Sequence, residues 1–285
     1  MKKPSDRLKN AGWVLLIVVL LAVVVCKRIL LSHNGAGENG GTNTERMLPE
    51  VSGHRGANAI APENTLASLD SCIKYGVDWM ECDVCISSDS VFYILHDWSL
   101  DRTTDGEGLI AERPSSYIDS LDAGSWFGEA WRGERVPRFE EILRKAYSGN
   151  VGITIDYRSG DLGKLLALIR AEGMSERCCF TFSDEDTAVE FRRLAPEVKT
   201  LQAYVRDADD LDRVAAKLSP DIAVVWMDTL DESMVRRCRE RGMKVLGLAL
   251  GLDDKTELNE KAIALGVDVI ATDRPEEFIK KYRNE

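Results

Sequence analysis

The sequence has no excess of positive charge. Its 285 residues include 37 Lys and Arg against 48 Asp and Glu, which gives a formal net charge of -11. A protein this acidic is a poor partner for a nucleic-acid backbone, which attracts proteins through clustered Lys and Arg. An anionic substrate would therefore have to be met by a local cation, either a metal ion or an arginine in the site.

The cysteines also lack the spacing of a zinc site. The chain contains seven cysteines, and taken together they do not follow the spacing of a four-ligand zinc site. Cys178 and Cys179 are adjacent in a strand-like run, so we expect their side chains on opposite faces. The spacing leaves open whether any cysteines pair, and free buried thiols would be unusual in an exported domain.

One long apolar run stands near the start of the chain. Residues 11–26 read AGWVLLIVVLLAVVVC, and the run extends to residue 31 if Lys27 and Arg28 snorkel. We predict a transmembrane signal anchor over 11–31. The more positive flank precedes it, which predicts a cytoplasmic segment at 1–10 and a domain outside the cytoplasm. A cleaved signal peptide and a buried helix are the alternatives.

The segment after this run, residues 32–48, is rich in Gly, Asn and Thr and poor in apolar residues. Such a composition predicts a flexible linker. We therefore expect the following domain, residues 49–282, to be held at a membrane surface by a tether.

Short apolar runs alternate with amphipathic stretches throughout residues 49–282. Strand-like runs are at 51–55, 77–84 with 91–96, 151–157, 177–182, 198–204, 221–226, 244–250 and 267–272. Helices are expected at 65–75, 161–172, 184–194, 208–217, 231–241, 254–265 and 275–282. This α/β alternation predicts a parallel sheet covered by helices. Eight strand units favour a closed (β/α)8 TIM barrel over an open doubly wound sheet, with residues 97–137 irregular.

Residues suited to catalysis follow the strand-like runs. Glu81 and Asp83 share one side of a strand because side chains alternate, and two neighbouring carboxylates need a compensating cation. His54 and His96, two of the three histidines, also end strand-like runs, and Asp156 ends another. Catalytic groups of (β/α)8 barrels lie at the C-terminal ends of the strands, so we expect all five at one rim.

Two imidazoles, several carboxylates and a guanidinium at one rim favour phosphoryl transfer. An arginine would bind the phosphate oxygens, and the two histidines would remove and donate protons. All-oxygen ligation by carboxylates indicates Ca2+ or Mg2+ rather than zinc. The alternative for Glu81 and Asp83 is an ion pair with an Arg or Lys that lines the barrel.

Five ordered motifs carry a resemblance to a known family. They are HRG at 54–56, PENT at 62–65, E-x-D at 81–83, HD at 96–97 and LDRTT at 100–104. With LDAGSWFG, VPRFEEIL and the closing LGVDVIATDRPEEF, the chain resembles the glycerophosphodiester phosphodiesterase family over about residues 50–281.

The resemblance implies a TIM-barrel hydrolase that releases an alcohol and glycerol 3-phosphate. It implies His54 and His96 as the acid/base pair, and Glu81, Asp83 and a third acid, Asp156, as ligands of a Ca2+ or Mg2+ ion. It further implies Arg55 and Arg158 as phosphate-binding residues, and Glu63 and Asn64 as supporting residues. The expected partners are a small-molecule or lipid-headgroup phosphodiester and, through the N-terminal helix, a membrane.

The chain departs from the family pattern in two places. Asp156 and Arg158 stand where the family usually has Glu and Lys, and the Asp side chain is one methylene shorter. GLALG at 247–251 replaces a W-T-V-N-like segment, so an aromatic side chain is missing there. Trp226 could replace it, but ordinary packing is the preferred expectation for this residue.

Two other functions remain as alternatives. A membrane-tethered binding module would keep the barrel and lose turnover through Asp156. A phospholipase-type phosphodiesterase acting on a lipid diester would have an apolar mouth near the rim.

Overall fold

The computed structural model describes residues 48–196, 198, 200–251 and 256–283. The predicted cytoplasmic segment 1–10, the anchor 11–31 and all but the last residue of the linker 32–48 lie outside these ranges. The membrane anchor therefore stays a prediction. Within the described ranges, the structure contains no helix that is both long enough and apolar enough to cross a bilayer.

Eight parallel strands close into a barrel, which confirms the predicted (β/α)8 architecture. The strands are β1 Glu50–Gly53, β2 Trp79–Ile86, β3 Phe92–Ile94, β4 Gly152–Tyr157, β5 Cys178–Phe182, β6 Leu201–Tyr204, β7 Ile222–Trp226, β8 Lys244–Ala249 and β9 Val269–Thr272. The ring closes because β1 pairs in parallel with both β9 and β2. The short β3 is antiparallel to the end of β2 and lies outside the eight-stranded ring.

Helices cover the outside of the ring. They are α1 Leu66–Tyr75, α2 Ser115–Ile118, α3 Phe139–Gly149, α4 Leu162–Ala171, α5 Glu185–Leu194, α6 Ala208–Leu218, α7 Glu232–Glu240, α8 Thr256–Leu265 and α9 Pro275–Tyr282. Four of them begin in the same way, with an aspartate side chain that accepts a backbone N–H of the first turn. These aspartates are Asp161, Asp184, Asp207 and Asp231. This cap stabilises a helix start and explains why the predicted boundaries agree closely with the observed ones.

Helix α3 is not among the predicted elements. Its buried residues are Phe139, Ile142, Leu143 and Ala146, a spacing that places them on one face. The helical pattern was therefore present in the sequence, but the irregular residues 97–137 before it masked its start. The helix packs against β3 and β4 and against the neighbouring helices α1 and α4, so it covers this part of the sheet.

The strands present apolar side chains outward to the helices. Inside the barrel, β2, β4, β5 and β6 contribute mainly polar side chains, whereas β7, β8 and β9 contribute apolar ones. Cys178 packs in the core between strands and helices, whereas the Sγ of Cys179 lies 3.0 Å from the Oγ1 of Thr154. The two cysteines thus face opposite sides, as predicted. All six described cysteines are buried and unpaired.

We expect Phe139→Ala to destabilise the domain, because the ring is fully buried between α3 and the sheet. The free energy of unfolding should fall by about 3–5 kcal/mol, measured by urea denaturation. Tyr147→Ala is the matched control, since this ring is on the same helix and 57% exposed. It should cost less than about 1 kcal/mol. Equal losses in the two variants would show that α3 does not contribute to the core through Phe139.

Candidate active site

Three carboxylates meet at the C-terminal ends of two neighbouring strands. Glu81 and Asp83 are on β2, and Asp156 is on β4, directly beside Asp83 in the register. One oxygen of each carboxylate lies within 4.8 Å of the others. We call these three residues the carboxylate cluster. The shorter side chain of Asp156 therefore still reaches the other two acids.

Burial and mutual repulsion make this cluster electrostatically unfavourable when it is fully ionised. Burial and the charge of Asp83 raise the pKa of Glu81 to about 8. Burial also raises the pKa of Asp156 to about 6, although the positive charge of Arg158 opposes the shift. Three oxygen donors with a deficit of positive charge suit a hard divalent cation. The residues present thus fit the metal that the sequence predicts.

Arg158 already lies against two of the carboxylates. Its Nη2 is 2.6 Å from the Oδ1 of Asp83 and 3.2 Å from the Oδ2 of Asp156. The ion pair considered as an alternative for the acidic residues on β2 is therefore present for Asp83. The ion pair between Arg158 and Asp83 is present together with the close approach of Glu81, Asp83 and Asp156.

The loop after β1 supports the cluster from the side. The backbone N–H of Arg55 donates to the Oε2 of Glu81 at 2.8 Å, and the Nη1 of Arg55 donates to the Oε1 of Glu63 at 2.9 Å. Asn64 donates from Nδ2 to the Oδ2 of Asp83 at 2.9 Å. Both Arg55 and Asn64 have a positive φ, which asparagine tolerates and which is uncommon for arginine. The Nε of Arg55 is buried and has no hydrogen-bond partner among the described residues.

His54 lies at the end of β1 and is held by a carboxylate from the other end of the chain. Its Nδ1 is 2.7 Å from the Oδ1 of Asp273, which follows β9. Asp273 also accepts from the Nδ2 of Asn58 and from the backbone N–H of Gly251. Burial lowers the pKa of His54, but the bond to Asp273 and the charge of Glu81 outweigh it and raise the pKa above its ordinary value. Because Nδ1 is engaged, Nε2 is the nitrogen left for proton transfer.

His96 has a similar partner. Its Nδ1 is 2.6 Å from the Oδ1 of Asp97. Asp97 in turn accepts a 2.6 Å hydrogen bond from the Nε of Arg102, and this bond is the main reason that the pKa of Asp97 falls to about 2. The ionised carboxylate fixes the ring of His96 in the same manner as Asp273 fixes His54.

The structure brings every predicted site residue to one rim of the barrel. Seven of them line a common cavity: His54, Arg55, Glu81, Asp83, His96, Asp156 and Arg158. Glu63 and Asn64 lie behind this lining, in contact with Arg55 and Asp83. Asp97, Arg102 and Asp273 were not singled out from the sequence. A signal was available for all three, since Asp97 lies in the HD motif, Arg102 in LDRTT and Asp273 in LGVDVIATDRPEEF.

The cavity has a volume of about 520 Å³ and two unlike walls. The charged wall comes from β1, β2 and β4. The opposite wall comes from β6, β7 and β8 and contributes uncharged side chains: Tyr204, Val224, Trp226, Leu246, Leu248 and Leu250. Trp226 is 48% exposed at the end of β7, so the expectation of ordinary packing for this residue is wrong. Its inward position at a strand end places the ring at the cavity mouth.

Proteins of known structure and known sequence are similar to this chain. A model of the glycerophosphoryl diester phosphodiesterase family matches residues 54–277. A glycerophosphodiester phosphodiesterase of Caldanaerobacter subterraneus is 28% identical over 83% of this chain and 99% of its own length. The crystal structure of a glycerophosphodiester phosphodiesterase from Agrobacterium tumefaciens is 31% identical, with a TM-score of 0.72 over 82% of this chain and 100% of that one. A phosphodiesterase of Oleispira antarctica, solved with the product sn-glycerol-3-phosphate, is 28% identical, with a TM-score of 0.72 over 82% of this chain and 96% of that one.

The raised pKa of Glu81 predicts a pH-dependent stability of the metal-free protein. Between the unfolded pKa of about 4.3 and the folded value of about 8, the folded state binds more protons than the unfolded state, so stability falls as the pH rises. We expect Glu81→Gln to reduce this loss by at least about 1 kcal/mol between about pH 5 and about pH 8, measured by urea denaturation. Identical pH dependence in the two proteins would contradict the assigned electrostatics.

Asp273→Asn should lower the pKa of His54, because the variant loses the negative charge and the ionic hydrogen bond at Nδ1. An NMR titration of the histidine ring protons measures this directly. Asp119→Asn, which alters an acid paired with Arg138 away from the cavity, is the control and should leave His54 unchanged. A His54 pKa that does not move in Asp273→Asn would rule out the proposed orientation of the ring.

Proposed function

Because the chain belongs to the glycerophosphoryl diester phosphodiesterase family and is a phosphoric diester hydrolase, we propose that it cleaves glycerophosphodiesters by metal-dependent acid/base catalysis. The products are an alcohol and glycerol 3-phosphate. The observation that carries this proposal is the meeting of three carboxylates and two carboxylate-bound histidines around one cavity.

The carboxylate cluster would hold the divalent cation. A bound cation supplies positive charge that stabilises the phosphate oxygens in the transition state. Ca2+ and Mg2+ both accept carboxylate oxygens, so both are tested below. The raised pKa values of Glu81 and Asp156 support this assignment, because a cation would relieve the repulsion that causes them.

Arg55 and Arg158 would bind the phosphate. The Nε of Arg55 is buried, lies 3.8 Å from the Oδ2 of Asp83 and makes no hydrogen bond in the part of the chain that the structure describes, so it is available to donate to an incoming phosphate oxygen. Arg158 lines the same cavity, and its contacts to Asp83 and Asp156 hold the guanidinium beside the metal ligands.

His54 and His96 would transfer the protons through Nε2. One ring removes a proton from the attacking hydroxyl, and the other donates a proton to the leaving alkoxide. The raised pKa of His54 favours the protonated ring, so His54 suits the role of donating the proton to the leaving alkoxide. The attacking hydroxyl is that of water or the 2-hydroxyl of the glycerol, in which case a cyclic phosphate forms first and is then opened by water.

The uncharged wall of the cavity favours a second substrate class. Trp226 and Tyr204 are each about half exposed at the mouth, and Leu248 and Leu250 lie beside them. Such a wall offers few hydrogen bonds to a polar alcohol and would contact hydrocarbon favourably. A lysophospholipid-type diester is therefore the alternative substrate of the same site.

The decisive experiment measures glycerol 3-phosphate release from glycerophosphocholine and glycerophosphoethanolamine by the full chain, with Ca2+, Mg2+ or a chelator. We expect turnover that requires the metal and falls by at least about 100-fold in His54→Ala and in His96→Ala. Tyr147→Ala, with its exposed ring on α3, should keep full activity.

Three other outcomes would change the conclusion. Turnover that persists with chelator and in both histidine variants would exclude the proposed mechanism. Turnover on a lysophospholipid alone, measured in parallel as release of its headgroup alcohol, would select the lipid diester. Metal binding by calorimetry without turnover on either substrate would indicate a binding module, and Asp156→Glu would then test whether the shorter acid is the cause.

A further inference from the structure

Arg102 joins two acidic side chains at the edge of the cavity. Its Nε and Nη2 donate to Asp97 at 2.6 Å and 3.2 Å, and its Nη1 and Nη2 donate to Glu63 at 2.9 Å and 2.7 Å. The guanidinium therefore uses its planar fork on both carboxylates at once. Asp97 and Glu63 are 34 residues apart in the chain and belong to different loops, so this arginine connects the loops.

Each of these carboxylates holds a residue that lines the cavity. Asp97 accepts the Nδ1 of His96, and Glu63 accepts the Nη1 of Arg55. A continuous series of hydrogen bonds and ion pairs thus runs from His96 through Asp97, Arg102 and Glu63 to Arg55. Its two ends are the proposed proton-transfer and phosphate-binding groups, and Arg102 is in the middle.

Glu63 and Arg102 differ in how exposed their side chains are. Glu63 is only 12% exposed, and although burial raises its pKa, the two arginines lower it below the ordinary value. Arg102 itself is 42% exposed and lies outside the cavity lining. The pair of Arg102 with Asp97, whose side chain is 30% exposed, contributes little to folding. Removal of Arg102 would instead leave Asp97 with His96 as its partner and Glu63 with Arg55, and no cation would lie between the two carboxylates.

We propose that Arg102 is a positioning residue that fixes His96 and Arg55 relative to each other across the mouth of the cavity. The inference rests on the proposed function, because it assumes that His96 and Arg55 act on one phosphodiester. Displacement of a catalytic group by about 1 Å can lower a rate about 100-fold, so a residue that touches neither the substrate nor the metal can still control turnover.

The test compares Arg102→Gln, Arg102→Lys and Arg132→Gln in the full chain. Arg132 is the matched control, since it makes a similar two-point pair with Glu129 on the surface and away from the cavity. We expect Arg102→Gln to lower kcat/KM by about 10- to 100-fold, with kcat reduced and KM increased, because both ends of the series shift. Arg102→Lys should recover less than a tenth of the loss, since one ammonium cannot reproduce the fork. Arg132→Gln should change nothing.

A second measurement separates this inference from the proposed function. Calorimetric binding of inorganic phosphate and of sn-glycerol 3-phosphate reports on Arg55 without turnover. Binding should weaken by about three- to tenfold in Arg102→Gln and stay unchanged in Arg132→Gln. An inactive native protein would refute the proposed function, yet this binding difference would still report whether Arg102 positions Arg55.

Three results would overturn the inference. The first is an Arg102→Gln variant whose kcat/KM and phosphate affinity both stay within twofold of the native values. Another is full rescue by Arg102→Lys, which would show that charge alone matters. The last is a lowered midpoint of urea unfolding that accounts for the lost activity, since Arg102 would then act through stability.

Discussion

The carboxylate cluster is the constraint around which the rest of the site is arranged. Three acids whose oxygens lie within 4.8 Å of one another repel strongly in a buried setting, and they hold together only if positive charge and hydrogen-bond donors surround them. Arg158, the backbone N–H of Arg55 and the amide of Asn64 supply donors from three directions. Glu81 and Asp156 nevertheless keep raised pKa values, because burial and the charge of Asp83 outweigh these donors.

Charges of opposite sign alternate outward from the cluster. Asp273 holds His54, Asp97 holds His96, and Arg102 joins Asp97 to Glu63. Each ionic group is fixed by a partner of the opposite sign, and the groups that face the cavity are held from behind. Such an arrangement keeps the two rings and the guanidinium in defined orientations before a substrate binds, which lowers the entropic cost of reaching the reactive geometry.

The barrel provides the rigid base for this arrangement. The acidic residues are on strands that pair over six consecutive positions, and the supporting residues are on the loops that follow the strands. The two walls of the cavity come from opposite arcs of the ring, one charged and one uncharged. The same closed sheet thus supplies a charged surface and an apolar surface to one cavity.

The sequence by itself determined the local features of this protein. Strand and helix periodicity predicted the order of the elements and placed most of their boundaries close to the observed ones. Side-chain alternation placed Glu81 and Asp83 on one face, because this geometry depends only on neighbouring residues. Helix α3 was missed because an irregular stretch precedes it, although its apolar spacing was regular.

Only the tertiary structure decided which distant residues meet. The bond between His54 and Asp273 spans 219 residues and exists because β1 pairs with β9. The bonds from Arg102 to Glu63 and the exposure of Trp226 at the cavity mouth likewise depend on how loops and strand ends come together when the ring closes. Local periodicity carries no information about such contacts, because they are fixed by the register and closure of the whole sheet.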